Sequence, residues 1–305
     1  MKHRVSIVAV LACACCLALA LAGCTQSTYR GKTLSPTVST PTIGQSGTLR
    51  VGVDTTGGAP FVVSSNGTTT GLDVDMAAAL AEQLGLKLEI VDVEGNAASA
   101  LSAGTVDIVM TQSSSEKNSN MWLSDPYIET GVALFAPLGT TAIPTSSSGA
   151  KIAAQTSSTS AWTVENAFGS DSLSSMSDLM SAFTAVNQGT VDYVASDAVI
   201  GTYAAMRQGI DVQPIALLGT KGGYCIGVSS SNKDLQTAVS KALSTISSNG
   251  VAEVVQTKWL GSAINLDSLT TIEVSSSKSS SSTSETVSTS TAGANAVIQG
   301  SNSSN

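Results

Sequence analysis

Histidine is almost absent. The only one in 305 residues is His3, inside a stretch that reads below as an export signal. A body without imidazole has no Ser-His-Asp or Cys-His couple and no His-Glu-x-x-His zinc site, so no metal, no cofactor and no such catalysis is expected. Charged residues are scarce at 12%, and positive ones scarcer still, with 14 Lys and Arg against 22 Asp and Glu and a formal net charge of −8. The imbalance belongs to the body, because nine basic residues face nineteen acidic ones between Thr48 and Ser262. Nucleic acid is gripped by basic patches that displace counterions from phosphate, so that role is excluded.

Cysteine is sparse and badly placed for disulfides. Cys13, Cys15, Cys16 and Cys24 lie at the N-terminus and Cys225 stands alone. Lys2, His3 and Arg4 precede the apolar run from Val5 to Ala22, which ends Leu21-Ala22-Gly23-Cys24. A basic start, a short apolar stretch and small residues at its end describe a secretory signal. The last four residues resemble the lipobox of bacterial lipoproteins. That likeness implies a signal over residues 1–23, cleavage before Cys24, and a lipid on the Cys24 sulfur that ties the chain to the outer face of a membrane. Only Cys225 would remain, so stability must come from packing. Without an activating histidine, Cys225 reads as a buried structural thiol.

What is present is enough apolar sequence for a large core: 42% of residues are hydrophobic, and the length suits about two domains. Residues 24–47 are rich in Ser, Thr, Pro and Gly and read as a flexible tether. Residues 267–305, dominated by Ser, Thr and Asn, read as a disordered tail. Between them strands and helices alternate. Leu49–Val53 reads as a strand. Leu72, Met76, Leu80 and Leu84 mark one face of a helix, with Asp73 its N-cap and Gly85 its stop. Val106–Met110 and Val191–Ala195 read as buried strands. Such alternation predicts an α/β fold with parallel sheets.

One segment echoes another. Gly104-Thr105-Val106-Asp107 recurs as Gly189-Thr190-Val191-Asp192, 85 residues on. In both copies a helix stops at Gly and a strand follows. Two similar lobes in one chain account for it.

Several motifs occur in a fixed order. They are Leu49-Arg-Val-Gly-Val-Asp54 with Pro60-Phe61, Gly71-Leu-Asp73-Val-Asp75, Gly104-Thr-Val-Asp107, Ser124-Asp-Pro-Tyr127, Val191-Asp-Tyr-Val-Ala-Ser-Asp197 and Lys258-Trp-Leu-Gly261. Together they resemble the bacterial extracellular solute-binding proteins of family 3. The resemblance implies a two-lobed periplasmic-binding-protein-like (type II) fold. Lobe 1 would be residues 48–138 and 223–266, and the hinge with lobe 2 would be residues 139–222. The chain would cross at Pro137–Gly149 and Leu218–Gly223, with the solute between the lobes.

In open α/β sheets, ligands bind beyond the carboxyl ends of parallel strands. The polar strand ends here offer Asp54, Thr111, Ser113, Ser157, Ser158 and Asp197. Hydroxyls and a helix N-terminus suit a carboxylate, and Asp197 suits an ammonium. The family usually clamps the solute's carboxylate with an arginine before Ser-Asp-Pro-Tyr. Here Lys117 takes that place, and Gly57-Gly58 and Gly95-Asn96 stand where aromatics are frequent. The implied role is a non-catalytic, monomeric, extracytoplasmic receptor that hands a small polar solute, an amino acid, to an ABC import permease. Two other roles are open to the same fold: a sensory or surface binding lipoprotein, and an enzyme akin to cyclohexadienyl dehydratases.

Overall fold

The computed structural model describes residues 34–274. The signal, Cys24 and the greater part of the Ser/Thr tail lie outside the described residues.

Lobe 1 is built around β1 (Thr48–Val53), which runs parallel to β4 (Lys87–Asp92) on one side and to β5 (Ile108–Ser113) on the other. Helix α1 (Leu72–Leu84) packs here because Leu72, Met76, Leu80 and Leu84, at helical spacing, are all buried. Each such side chain contributes roughly 1.5–3 kcal/mol. Gly85 ends the helix at φ +70°, a left-handed conformation natural to glycine. The N-cap is Gly71, with no side-chain cap; Asp73, expected there, is wholly buried inside the helix instead. Helix α2 (Ala97–Ala103) precedes β5.

Lobe 2 repeats the plan. Strand β8 (Ile152–Gln155) is central, parallel to β9 (Leu173–Met176) and β10 (Tyr193–Asp197). Helices α3 (Thr159–Phe168), α4 (Leu179–Asn187) and α5 (Ala198–Gln208) cover it. The repeated motif does the same work in each lobe. Asp107 accepts from the backbone N–H of Arg50 at 2.8 Å, and Asp192 from that of Lys151 at 2.8 Å. Thr105 Oγ1 donates to the Ala100 carbonyl at 3.1 Å and Thr190 Oγ1 to that of Ala185 at 3.0 Å. In both copies the hydroxyl closes the helix end and the carboxylate pins the neighbouring strand.

The lobes share one ten-stranded sheet, in the order β4-β1-β5-β11-β7-β10-β8-β9. Strands β7 (Ile128–Pro137) and β11 (Val212–Ser229) run antiparallel through both lobes. The remaining strands are short: the hairpin β2 (Val63–Ser65) and β3 (Thr68–Thr70), and β6 (Met121–Leu123) and β12 (Thr270–Ile272), both on β11. Helices α6 (Lys233–Ser248) and α7 (Val251–Leu260) return to lobe 1 and pack on α1.

Three boundaries differ from the sequence reading. The first crossing is not the segment Pro137–Gly149 but the middle of β7: Ile128 pairs with Tyr224 in lobe 1, whereas Val132–Phe135 pair with β10 in lobe 2. The second crossing keeps to the residues read for it, inside β11, where the register with β7 shifts between Leu218 and Gly222. The tether does not extend to residue 47, because Ile43 is fully buried in the lobe 1 core, and Thr37 N–H and Asn232 Nδ2 make long-range bonds to Leu84 O and Thr42 O. The tail does not begin at 267 either. Leu266 is buried, and β12 runs parallel to Ala216–Leu218 of β11. Cys225 is free and 1% exposed, and burial pushes its thiol up to about 11.

Candidate functional site

Two cavities open where the lobes meet, and both are lined by Tyr224. The first, of ≈ 570 Å³, lies against lobe 1 and is closed from lobe 2 by Ile200. Asp54 from the end of β1, Asn96 and Ser99 at the start of α2, and Thr111, Gln112 and Glu116 from β5 and its loop form its polar wall. Phe61, Val93, Met110 and Tyr224 form its apolar wall. The second, of ≈ 820 Å³, runs between the lobes past Ser113, Ser114, Thr130, Thr159, Ser160, Trp162, Asp197 and Lys221. Both volumes lie in the range usual for small-molecule sites.

The structure brings several of the residues expected from the sequence to these walls. Asp54 Oδ1 accepts from the N–H and Oγ1 of Thr56, at 2.9 and 2.7 Å, which holds the carboxylate at the rim of the first cavity. Thr111 is on its floor, at φ +58°, an uncommon conformation for a β-branched residue. Ser113 lines the second cavity and shares a hydrogen bond with Ser115 Oγ at 2.8 Å.

Asp197 is the most heavily bonded of the set. Its Oδ1 accepts from the N–H groups of Val199 and Ile200 at 2.9 and 3.0 Å, so it caps α5. Its Oδ2 accepts from Thr130 Oγ1 at 2.8 Å and from the Tyr224 hydroxyl at 3.1 Å. Burial pushes its carboxyl up, against the pull of these four donors. Burial, then the charge of Asp197, pushes the Tyr224 phenol far up. Asp197 therefore ties lobe 2 to both crossing strands while it faces the cleft.

Three expected residues do not line either cavity. Lys117 is exposed; a turn closed by Glu116 N–H to Ser113 O at 2.9 Å leaves Glu116 at the first cavity in its place. Ser158 spends its hydroxyl accepting from Ala161 N–H at 3.1 Å as the N-cap of α3, and Ser157 beside it is exposed at φ +57°. The following turn, Thr159 and Ser160, reaches the cleft instead. The sequence reading missed Glu116, Ile200 and the edge-to-face pair Phe61–Tyr224, whose ring centroids are 4.5 Å apart. The Pro60-Phe61 motif was the available signal for that pair.

The first cavity has two carboxylates on its wall, Asp54 and Glu116, and no lysine or arginine. Lys221, in the second, is held by Glu129 at 2.9 Å and Asp267 at 2.5 Å. No group of three or more His, Cys, Asp or Glu among the described residues could hold a metal ion.

The sequence profile of the bacterial extracellular solute-binding proteins, family 3, matches residues 49–262. The chain belongs to this family. As a family 3 solute-binding protein it shares its fold with solved relatives. An ancestral cationic amino acid solute-binding protein is 26% identical, with a TM-score of 0.59 over 70% of this chain and 96% of that one. The L-cystine solute receptor of Neisseria gonorrhoeae, in its unliganded open conformation, gives a TM-score of 0.64 at 23% identity, over 71% of this chain and 94% of that one. A polar amino acid ABC uptake transporter substrate-binding protein from Streptococcus thermophilus gives 0.62 at 18% identity, over 72% and 88%. Among curated proteins none matches.

Proposed function

We infer that this family 3 solute-binding protein is a non-catalytic extracytoplasmic receptor. It binds one small polar solute, an amino acid, between its lobes and delivers it to an ABC import permease. The observation that carries the reading is the meeting of two polar-walled cavities at Tyr224, with Asp197 on the wall of the second, between lobes joined by strands β7 and β11 and by the segment that leads from α7 to β12. Narrow crossings let lobes rotate about a few residues, which is how such receptors close on a guest. Asp54, Thr111, Ser113 and Asp197 are the proposed contacts, with the N-terminal turn of α3 as the seat for a carboxylate. An α-carboxylate would there meet hydroxyls and backbone N–H groups rather than a guanidinium. The acidic wall of the first cavity favours solutes with a positive side chain, and the name of the ancestral relative agrees with that.

The test is a melting-temperature screen of the twenty amino acids. The expected result is a rise with one class, strongest for cationic members, and loss of the rise in Asp54→Ala. No rise with any amino acid would remove the reading. The membrane tie is proposed through Cys24: Cys24→Ser should release the chain to the soluble fraction and remove a lipid mass from the mature protein.

A further inference from the structure

Beneath the floor of the first cavity lies a group that the binding role does not use. Asp73 is fully buried within α1. Its Oδ1 accepts from the Tyr127 hydroxyl at 2.6 Å, and its Oδ2 from Thr111 Oγ1. The Tyr127 oxygen in turn accepts from the Thr111 N–H at 3.2 Å. The four groups close a ring: the Thr111 N–H donates to Tyr127, the Tyr127 hydroxyl to Asp73, and the Thr111 hydroxyl to the other oxygen of Asp73. Thr111 is the only member that lines the cavity, and it is held at φ +58°. The ring fixes a conformation that a β-branched residue rarely adopts unaided.

We propose that Asp73 is a positioning residue of the solute cleft, and that its ionisation sets which way the Thr111 hydroxyl proton points. The inference rests on the receptor reading for its effect on binding, but not for the ring itself. With Asp73 ionised, both oxygens accept and the Thr111 proton is held inward, which leaves the threonine oxygen as an acceptor. When Asp73 takes a proton on Oδ2, that O–H must donate, and Thr111 Oγ1 is the oxygen beside it. The Thr111 hydroxyl then accepts, and its own proton leaves the ring.

The surroundings let this occur near neutrality. Tyr127 and Tyr224 are the titratable groups that feel Asp73, and neither is a cation. No ion pair of the described residues includes Asp73. On its own helix, Asp75 bonds Lys258 and Trp259, and Glu82 is exposed. On the elements packed against α1, Arg50 is taken by Asp107. Lys87, Glu89 and Asp92 on β4, Lys233, Asp234 and Lys241 on α6, and Glu253 on α7 are all solvent-exposed. Burial outweighs the two hydroxyl donors and pushes Asp73 up to about 7. Acidification from pH 8 to 6 therefore removes a negative charge under the floor and an acceptor on it, and both losses disfavour an ammonium above.

The test has two arms. In the solute-free protein, the Asp73 carboxyl carbon and the Thr111 amide are followed by NMR from pH 5 to 9. The expected result is one shared midpoint near neutral, with the Thr111 amide flat in Asp73→Asn. In the second arm, calorimetry at pH 6 and 8 uses whichever of L-arginine, L-lysine, L-glutamine and L-cystine raises the melting temperature. Wild type should bind more weakly at pH 6, by on the order of tenfold, and Asp73→Asn should show no such difference. Should that variant not fold, Tyr127→Phe keeps the carboxylate and its bond from the Thr111 hydroxyl, so the Thr111 amide must still follow the Asp73 titration, with the midpoint raised by the lost donor. A Thr111 amide that ignores the Asp73 titration overturns the proposal, as does a wild-type pH profile retained in Asp73→Asn. If none of the four solutes binds, the receptor reading fails, and the NMR arm still decides the ring.

Discussion

Two aspartates of one helix, Asp73 and Asp75, have opposite surroundings. Asp75 is partly exposed and accepts from Lys258 Nζ at 2.5 Å and from Trp259 Nε1 at 2.6 Å, joining α1 to α7. Asp75→Ala leaves the indole N–H without its partner, and should lower stability by about 1 kcal/mol, read as a lower denaturant midpoint. The exposed lysine contributes little of that. Asp73 is buried with no cation, so its pH effect has the opposite sign from that of an ion-paired carboxylate. Between about pH 4 and 7 the folded chain keeps a proton that the unfolded chain has lost, so the stability it contributes is fully present in acid and disappears as pH rises through 7. Asp73→Asn should therefore gain stability relative to wild type between pH 5 and 8. Chemical denaturation of both chains at the two pH values measures that gain.

At the scale of elements, the two crossing strands carry the architecture, and glycine sets how closely they pass their neighbours. A Cβ built on Gly223 would lie 2.4 Å from Pro126 Cβ and 2.8 Å from Ile128 O. Gly223→Ala should cost ~1–3 kcal/mol by overpacking, visible as a lowered melting temperature. These same glycines explain what was and was not legible in the sequence. Helix α1 was readable because four large apolar residues share one face and a glycine ends it. The 18-residue β11 was not, because Gly219, Gly222 and Gly223 interrupt its apolar pattern and imitate a hinge loop. The first crossing was misplaced for the complementary reason. The Gly, Ser and Thr of residues 138–149 look like a hinge, whereas the bridge is the apolar β7, stabilised by strands on both sides. In the cleft, the strand-end residues Asp54, Thr111, Ser113 and Asp197 were legible because strand ends are predictable. The inward place of Glu116 depends on a turn between Ser113 and Glu116 that no periodicity marks.

For the molecule as a whole, the family match ends at residue 262, but the folded body does not. Asp267 joins Lys221 and Glu129 beside the second cavity, β12 pairs with β11, and Glu273 and Val274 line the same wall. A chain ending at residue 262 should melt at a lower temperature than one ending at 274, and bind the solute more weakly. Equal melting and equal affinity would show that the added strand is passive. The position of β12 also gives the downstream sequence a fixed point of departure: whatever follows Val274 leaves from the lip of the cleft itself. A tag joined directly after Val274 would thus hang at the entrance, whereas one placed in the loop 138–149 would stand apart from it.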